Sequence, residues 1–227
     1  MFKPPLTLQT TTLWNYPSQN YGNQTQGDQN YQGATPSYVI WNLLMRYTKE
    51  GDMVVDPMCG SGTTIDVCND LHRKCLGYDI HPYRADIMKA DARNLPCKSN
   101  SADFVFIDPP YGDNINYSNE EQCIGKLGAK TQEYFDAMAI VIEEIHRICK
   151  PKHSMGLYVC DYYNKKDGFI PIGFKLFSIL LQHFKPVDII AVARHNKTLA
   201  MGNYHRAAEE GNFFLRGFNY CFIMYKE

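Results

Sequence analysis

Short apolar runs that end in an acidic residue alternate along this chain with stretches of helical periodicity. One run, residues 53–55, ends at Asp56, and another, residues 104–107, ends at Asp108. Short β-rich runs bounded by breakers are typical of buried strands. The strand at residues 104–107 must stop at Asp108 because the two prolines that follow lack an N–H donor. Regular alternation of strands and helices predicts a parallel sheet with helices on both faces.

The same pattern predicts the order of the other elements. Helices are expected from Pro36 to a turn at residues 49–52, and at about 63–72, 82–85, 131–149 and 172–183. Strands are expected at about 53–55, 75–79, 87–89, 104–107, 155–160, 187–193 and 213–225. No obvious long helix joins the last two strands, which fits an antiparallel final strand.

Composition limits the classes of protein that this chain can be. Its 227 residues, of which 44% are hydrophobic, suffice for one well-cored domain. The net charge of −1 argues against a broadly cationic surface, so any nucleic-acid binding must use a local patch. No run approaches the ~20 apolar residues that span a bilayer. The eight scattered cysteines never form C-x-x-C, which predicts a reduced, cytoplasmic protein without disulfides or a zinc site.

Residues 1–35 differ in composition from the remainder, and we expect them to form a separate N-terminal arm. They are rich in Asn, Gln and Tyr and carry only two charged residues, Lys3 and Asp28. One interpretation is a flexible polar arm. The other is a segment that folds over a ligand or lies on nucleic acid, since amides and aromatic rings can hydrogen-bond and stack. Residues 36–227 show no internal repeat and are expected to form a single domain.

A glycine turn follows the first acidic strand end. Gly60 and Gly62 allow the backbone to approach a ligand closely just before a helix begins. As a nucleotide fingerprint the turn is incomplete, because it lacks both a third glycine and a Gly-Lys-Ser/Thr sequence.

The second acidic strand end is the tetrapeptide Asp108, Pro109, Pro110 and Tyr111. It combines a carboxylate acceptor, backbone carbonyls and a flat ring at the carboxyl end of a strand, where open α/β sheets bind ligands. Such a set suits a planar group that bears an NH₂, because the amine can donate while the ring stacks on the tyrosine. The alternative is an ordinary strand with a proline-rich turn.

Together the glycine turn and the tetrapeptide resemble the motifs of S-adenosylmethionine-dependent DNA methyltransferases that modify exocyclic amines, adenine N6 or cytosine N4. The resemblance extends from about Gly33 to the C-terminus. It implies a three-layer Rossmann-like methyltransferase fold, with a mostly parallel seven-stranded sheet and an antiparallel last strand. It also implies that residues 36–227 are one catalytic domain without a separate target-recognition domain.

The resemblance assigns residues to catalysis and to the cofactor S-adenosylmethionine. The four residues of the tetrapeptide are implied to be catalytic. The residues implied to bind the cofactor are Asp56, Pro57, Met58, Cys59, Gly60, Gly62, Thr63, Asp79, Ile80, Asp91, Ala92 and Asp108. Asp79 is expected to accept from both ribose hydroxyls, and Asp91 from the adenine amine. The alternatives are an ordinary turn acid for Asp79, a cap for Asp91 and a packing role for Cys59.

Residues 189–208 contain no acidic side chain and are the best candidate for contacts with phosphates and bases. The predicted DNA contacts are Arg194, His195, Asn196, Lys197, His205 and Arg206, with Asn114 in the loop after the tetrapeptide. Arg216 would extend the patch. A solvated basic loop is the alternative. His195 and His205 lack partners at ligand spacing, so no metal is expected.

The function that the resemblance implies is methyl transfer to the exocyclic amine of a base flipped out of duplex DNA. An aspartate at the head of the tetrapeptide favours adenine N6. The alternatives are cytosine N4 in DNA, a base amine in RNA, and a binding protein that keeps the fold without catalysis. A homodimer, or a separate specificity or restriction partner, would supply a recognition surface.

Overall fold

Ten strands and five α-helices make up the part of the chain that the computed structural model describes, namely residues 4–28, 30–111, 118 and 120–227. The strands are β1 (Leu13–Trp14), β2 (Met53–Asp56), β3 (Lys74–Asp79), β4 (Met88–Lys89), β5 (Ala102–Ile107), β6 (Cys149–Val159), β7 (Tyr162–Asn164), β8 (Gly168–Ile170), β9 (Lys185–Ala193) and β10 (Phe218–Tyr225). The helices are α1 (Ser37–Tyr47), α2 (Thr63–Asp70), α3 (Gln132–Ile148), α4 (Ile172–Leu180) and α5 (Gly202–Glu210). None of the described helices is both long and apolar enough to cross a membrane.

Eight strands form the central sheet in the order β1-β9-β10-β6-β5-β2-β3-β4. All neighbours pair in parallel except β10, which is antiparallel to both β6 and β9. The predicted mostly parallel sheet with an antiparallel last strand is therefore confirmed. The prediction of seven strands omitted β1, which the N-terminal arm adds at the edge beside β9.

The central strand β5 alternates its side chains between two cores. Val105 and Ile107 pack with α3 and α4 on one face of the sheet. Phe104 and Phe106 pack with α1 on the other face. This period of two is what a fully buried strand between helical layers requires.

The described part of the N-terminal arm packs on the domain. The side chains of Trp14, Tyr16 and Tyr21 are buried in the core that contains α1. Tyr21 donates from Oη to Asp70 Oδ2 over 2.8 Å, at the end of α2. A purely flexible arm is therefore wrong for these residues, because their rings bury area that a solvated tail would leave exposed.

Several segments differ from the sequence prediction, among them α5, which forms between the last two predicted strands where no helix was predicted. Residues 82–85 form a turn, since a segment this short cannot sustain a helical nucleus. Strand β6 begins at Cys149 and includes Pro151, which is tolerated because β10 pairs with β6 only from Ser154 onward. Strand β10 begins at Phe218, opposite the last residue of β9, so residues 213–217 are a loop. The segment after β6 contains the hairpin β7–β8.

Candidate active site

The carboxyl ends of the parallel strands open into one cavity of about 610 Å³. It brings together the glycine turn after β2, the acids after β3 and β4, and the tetrapeptide after β5. The sequence-predicted residues that line it are Asp56, Pro57, Met58, Cys59, Gly60, Thr63, Asp79, Ile80, Asp91, Ala92, Asp108, Pro109, Pro110, Tyr111, Arg194, Asn196 and Arg216. Gly62 does not line it. Parallel strands place their carboxyl ends at one edge, which is why Asp56 and Asp108, 52 positions apart in the sequence, line one cavity.

Asp56 organises the glycine turn. Its Oδ1 accepts from the Met58 N–H at 3.0 Å, and its Oδ2 accepts from the Thr64 hydroxyl at 2.5 Å. Gly62 has φ +80°, a left-handed conformation that favours glycine, and α2 starts at the next residue. Asp56 therefore closes the turn onto the start of α2 and fixes the backbone beside the cavity.

Asp79 ties the second strand to the same turn. Its Oδ2 accepts from the Gly60 N–H at 3.0 Å, and its Oδ1 accepts from the His81 N–H at 2.9 Å. Each carboxylate oxygen has a further lone pair for a ligand. Because the side chain lines the cavity, Asp79 can both shape the turn and accept from donors inside it.

Thr35 holds the carboxylate of Asp108. The Thr35 hydroxyl donates to Asp108 Oδ2 over 2.5 Å, and Thr35 itself is buried at the end of the N-terminal arm. Among the described residues, Asp108 Oδ1 has no hydrogen-bond partner and is available to a ligand. Asp108 Oδ2 is therefore held by Thr35, whereas Asp108 Oδ1 can accept a hydrogen bond from a ligand in the cavity.

The cavity is electrostatically suited to a cation. Burial raises the pKa of Asp108 to about 8, against the opposing effect of the Thr35 hydrogen bond. Burial likewise raises the pKa of Asp56 to about 7 and raises the pKa of Asp79. A positive ligand charge would stabilise the ionised forms of these carboxylates and lower their pKa values.

Tyr111 is positioned by the last strand. The Asn219 side-chain amide in β10 donates to Tyr111 Oη at 3.5 Å, and Tyr111 packs against the core formed with α3 and α4. Tyr111 and Asp108 line the same cavity. A carboxylate next to a flat ring can receive a planar group with an amine on its edge.

Asp91 is less available than Asp79. Arg93 donates to both of its oxygens, with Nε to Oδ1 at 2.9 Å and Nη2 to Oδ2 at 2.6 Å. Burial opposes ionisation, but these bonds outweigh it and lower the pKa of Asp91. Its contact with an adenine amine stays a prediction.

The predicted DNA contacts are divided between the cavity and the outer surface. Arg194 and Asn196 line the cavity. The Arg194 side chain donates to Cys160 Sγ at 3.0 Å. His195 lies outside the cavity with its Nε2 2.7 Å from Asn15 Oδ1. His205 and Arg206 are exposed on α5, which has no buried residue. Asn114, and the side chain of Lys197, lie outside the described residues.

The sequence pattern did not single out several residues of the cavity wall. They are Tyr31, Gly33, Ala34, Thr35, Asp161, Tyr162, Tyr163, Phe213, Phe214 and Leu215. The first four belong to the N-terminal arm, where the Asp28 N–H donates to the Ser61 carbonyl at 3.0 Å and docks the arm on the glycine turn. A signal for Thr35 was its place just before Pro36, at the start of a helix leading into the first motif strand.

A family model described as DNA methylase (N6_N4_Mtase) matches residues 5–90. Among curated relatives, the type II methyltransferase M2.DpnII of Streptococcus pneumoniae is 43% identical over 44 residues, 19% of this chain and 16% of the relative. The type II methyltransferase M.BglII of Bacillus subtilis is 32% identical over 96 residues, 41% of this chain and 24% of the relative. The matched segments thus span less than a quarter of either relative.

Solved structures show the same fold at low identity. TrmN of Thermus thermophilus has a TM-score of 0.55 and 15% identity, over 86% of this chain and 50% of that protein. A SAM-dependent methyltransferase of Methanosarcina mazei has a TM-score of 0.54 and 13% identity, over 81% of this chain and 96% of that protein. These likenesses place the chain in the Rossmann-like methyltransferase fold.

Proposed function

We propose that this chain transfers a methyl group from S-adenosylmethionine to the exocyclic amine of a base in DNA, with adenine N6 favoured. The DNA methylase model that matches residues 5–90 and the similarity to type II methyltransferases support this proposal. The observation that carries the proposal is the placement of Asp108 Oδ1 and the Tyr111 ring in one cavity with the glycine turn. The aspartate at the head of the tetrapeptide is the reason for favouring adenine over cytosine.

The lining of the cavity fits this cofactor. Burial raises the pKa values of three carboxylates in the cavity, and a ligand that carries a positive sulfonium and ammonium would stabilise their ionised forms. Asp79 would accept from the ribose hydroxyls, and the turn around Gly60 would hold the methionine end. When bound, S-adenosylmethionine supplies a methyl group on a sulfonium, which needs no further activation.

The residues of the tetrapeptide would prepare the amine. Its lone pair is delocalised into the base, so Asp108 Oδ1 and the Pro109 carbonyl would accept the two amine hydrogens and draw the nitrogen toward tetrahedral geometry. The ring of Tyr111 would hold the base by stacking, worth ~1–3 kcal/mol. After the transfer, the methylated nitrogen carries a positive charge and must lose one proton. Asp108 Oδ1 would accept that proton. A base inside a duplex cannot reach this cavity, so the target must be extruded.

The test is transfer of labelled methyl from S-adenosylmethionine to duplex DNA, single-stranded DNA and total RNA, followed by nucleoside mass analysis. We expect N6-methyladenine in DNA. N4-methylcytosine would keep the reaction and change the base, whereas label in RNA alone would overturn the substrate. Absence of label in every substrate, with the cofactor bound, would reject transfer by this chain on its own.

Thr35 is proposed to act as a positioning residue for Asp108. We expect Thr35→Val to lower kcat/KM about tenfold, in the range typical of residues that orient a reacting group. Because the Thr35 hydrogen bond lowers the pKa of Asp108, its loss should also move the acidic limb of the pH profile to higher pH. Steady-state kinetics across pH 6 to 10 measure both effects.

Two comparison variants separate positioning from folding. Thr35→Ser keeps the hydroxyl and should restore both the rate and the pH profile. Thr12→Val alters an exposed threonine of the same arm and should change neither. A Thr35→Val enzyme that is slower at every pH with an unmoved profile would show that Thr35 only packs.

A further inference from the structure

Phe214 is the most exposed large hydrophobic side chain in the described part of the chain, and it stands at the wall of the catalytic cavity. Its exposed fraction is 82%. It lines the same cavity as Asp108 and Tyr111 but belongs to the loop between α5 and β10. An exposed phenylalanine lowers solubility. Because Phe214 lies beside the site, we expect a binding partner to cover its ring.

The loop presents Phe214 from a fixed backbone. On one side, the Phe213 N–H donates to the Ala208 carbonyl at 3.0 Å, and the Phe213 ring stacks on Tyr163 of β7 with centroids 5.1 Å apart. On the other side, Arg216 Nη2 donates to the Phe214 carbonyl at 2.8 Å. Phe213 therefore anchors the loop while Phe214 points away from the core.

Positive charge borders this ring. Arg216 lies with Cζ 5.2 Å from the centroid of the Phe169 ring, and both Arg216 and Arg194 line the cavity. The Arg194 N–H also donates to the Gly217 carbonyl at 2.9 Å, which joins β9 to the end of the loop. Arg206 adds a further exposed cation on α5, whereas Glu209 and Glu210 at the end of that helix are exposed acids.

Two further acids lie just before and within the hairpin β7–β8, against which Phe213 packs. Asp161 accepts from the Gly173 N–H at 2.9 Å and from Tyr220 Oη at 3.0 Å. Asp167 of the hairpin turn pairs with Lys130 at 2.9 Å. Asp161 keeps its charge, but neither Arg194 nor Arg216 forms a salt bridge in the described part of the chain. An apolar ring beside two such arginines at the cavity wall matches duplex DNA, a polyanion with a stacked, apolar interior.

We propose that Phe214 inserts into the DNA duplex and fills the gap that the extruded target base leaves in the stack. This inference rests on the proposed function. Extrusion breaks two stacking contacts, and an apolar side chain in the gap recovers part of that loss. The arginines beside it would hold the flanking phosphates, so that insertion of the ring and entry of the base into the cavity occur together.

The test uses the full chain and a duplex that contains a site methylated in the transfer assay. Phe214→Ala should lower kcat/KM on the fully paired duplex about tenfold. On a duplex whose target base faces an abasic site, the kcat/KM of the variant should be within twofold of that of the unsubstituted enzyme. An unpaired base leaves the stack at a lower free-energy cost. A 2-aminopurine placed at the target should also show a smaller fluorescence increase with the variant on the paired duplex.

Phe174→Ala is the matched control, since Phe174 is 56% exposed on α4 and does not line the cavity. It should leave transfer to both duplexes unchanged. Equal losses for Phe214→Ala on both duplexes, or no loss on either, would overturn insertion. If the unsubstituted enzyme fails to methylate any duplex, the proposed function itself is wrong, and this outcome is distinct from an active enzyme that is indifferent to Phe214.

Discussion

Asp108→Asn should reduce methyl transfer about 10³-fold, the range for loss of a group that accepts protons or stabilises charge at the reacting centre. The asparagine can present its NH₂ where Oδ1 now faces the cavity, and it cannot take up the proton released by the amine. Because burial raises the pKa of Asp108 to about 8, the free enzyme at pH 7 already holds this group mostly neutral. Cofactor affinity near neutral pH should therefore change by only a few-fold.

Equilibrium binding by calorimetry and single-turnover transfer measure the two quantities separately. Asp103→Asn is a suitable control, since Asp103 lies at the opposite end of β5 and pairs with Lys150 at 2.5 Å. It should bind and transfer normally. Loss of cofactor binding in Asp108→Asn, with transfer recovered at high cofactor concentration, would show that Asp108 serves the cofactor instead of the amine.

The raised pKa of Asp108 also has a consequence for stability. Between its ordinary value of 3.8 and about 8, the folded protein binds more protons than the unfolded chain. The free energy of unfolding therefore falls as pH rises through this window. Asp108→Asn should raise Tm by several degrees at pH 9 and by little at pH 5. Cofactor binding at pH 7 should release protons, and the variant should release fewer.

The sheet could be predicted from sequence because its strands carry strong local signals. The run before Asp108 is apolar at every position and ends at two prolines, so its type and end were both determined locally. The antiparallel β10 was expected because no long helix was evident before it and because the family resemblance implies such a strand, whereas the spatial order of the strands was not predicted. β1 could not be predicted, because its two residues carry no periodicity and are fixed only by pairing with β9.

The candidate site divides in the same way. Acids at strand ends are visible in the sequence, since the end of a parallel strand is both a local feature and the place where ligands bind. The place of Thr35 before Pro36 marks it in the sequence, but its contact with Asp108 is not visible there, and neither is the place of Phe214 beside the cavity. Thr35 and Asp108 are 73 positions apart in the sequence. Phe214 can be given a role only because the structure places its loop beside the cavity.

Asp79→Ala should weaken S-adenosylmethionine binding about 100-fold. Loss of two hydrogen bonds that the ribose hydroxyls donate to a charged acceptor, at about 1.5 kcal/mol each, amounts to roughly two factors of ten in Kd. Asp79 also accepts from the Gly60 N–H, so the variant could loosen the glycine turn as well. Titration calorimetry gives the affinity, and thermal unfolding of the free protein reports damage to the turn.

A ligand without the hydroxyls separates the two effects of Asp79. S-adenosylhomocysteine and its 2′,3′-dideoxy analogue should differ strongly in affinity for the unsubstituted protein and hardly at all for Asp79→Ala, as in a double-mutant cycle. Asp188→Asn, a change at an exposed carboxylate on β9, should preserve the discrimination. If Asp79→Ala weakens both ligands equally and keeps the ratio between them, Asp79 acts by holding the Gly60 turn, and the ribose must be bound by other groups.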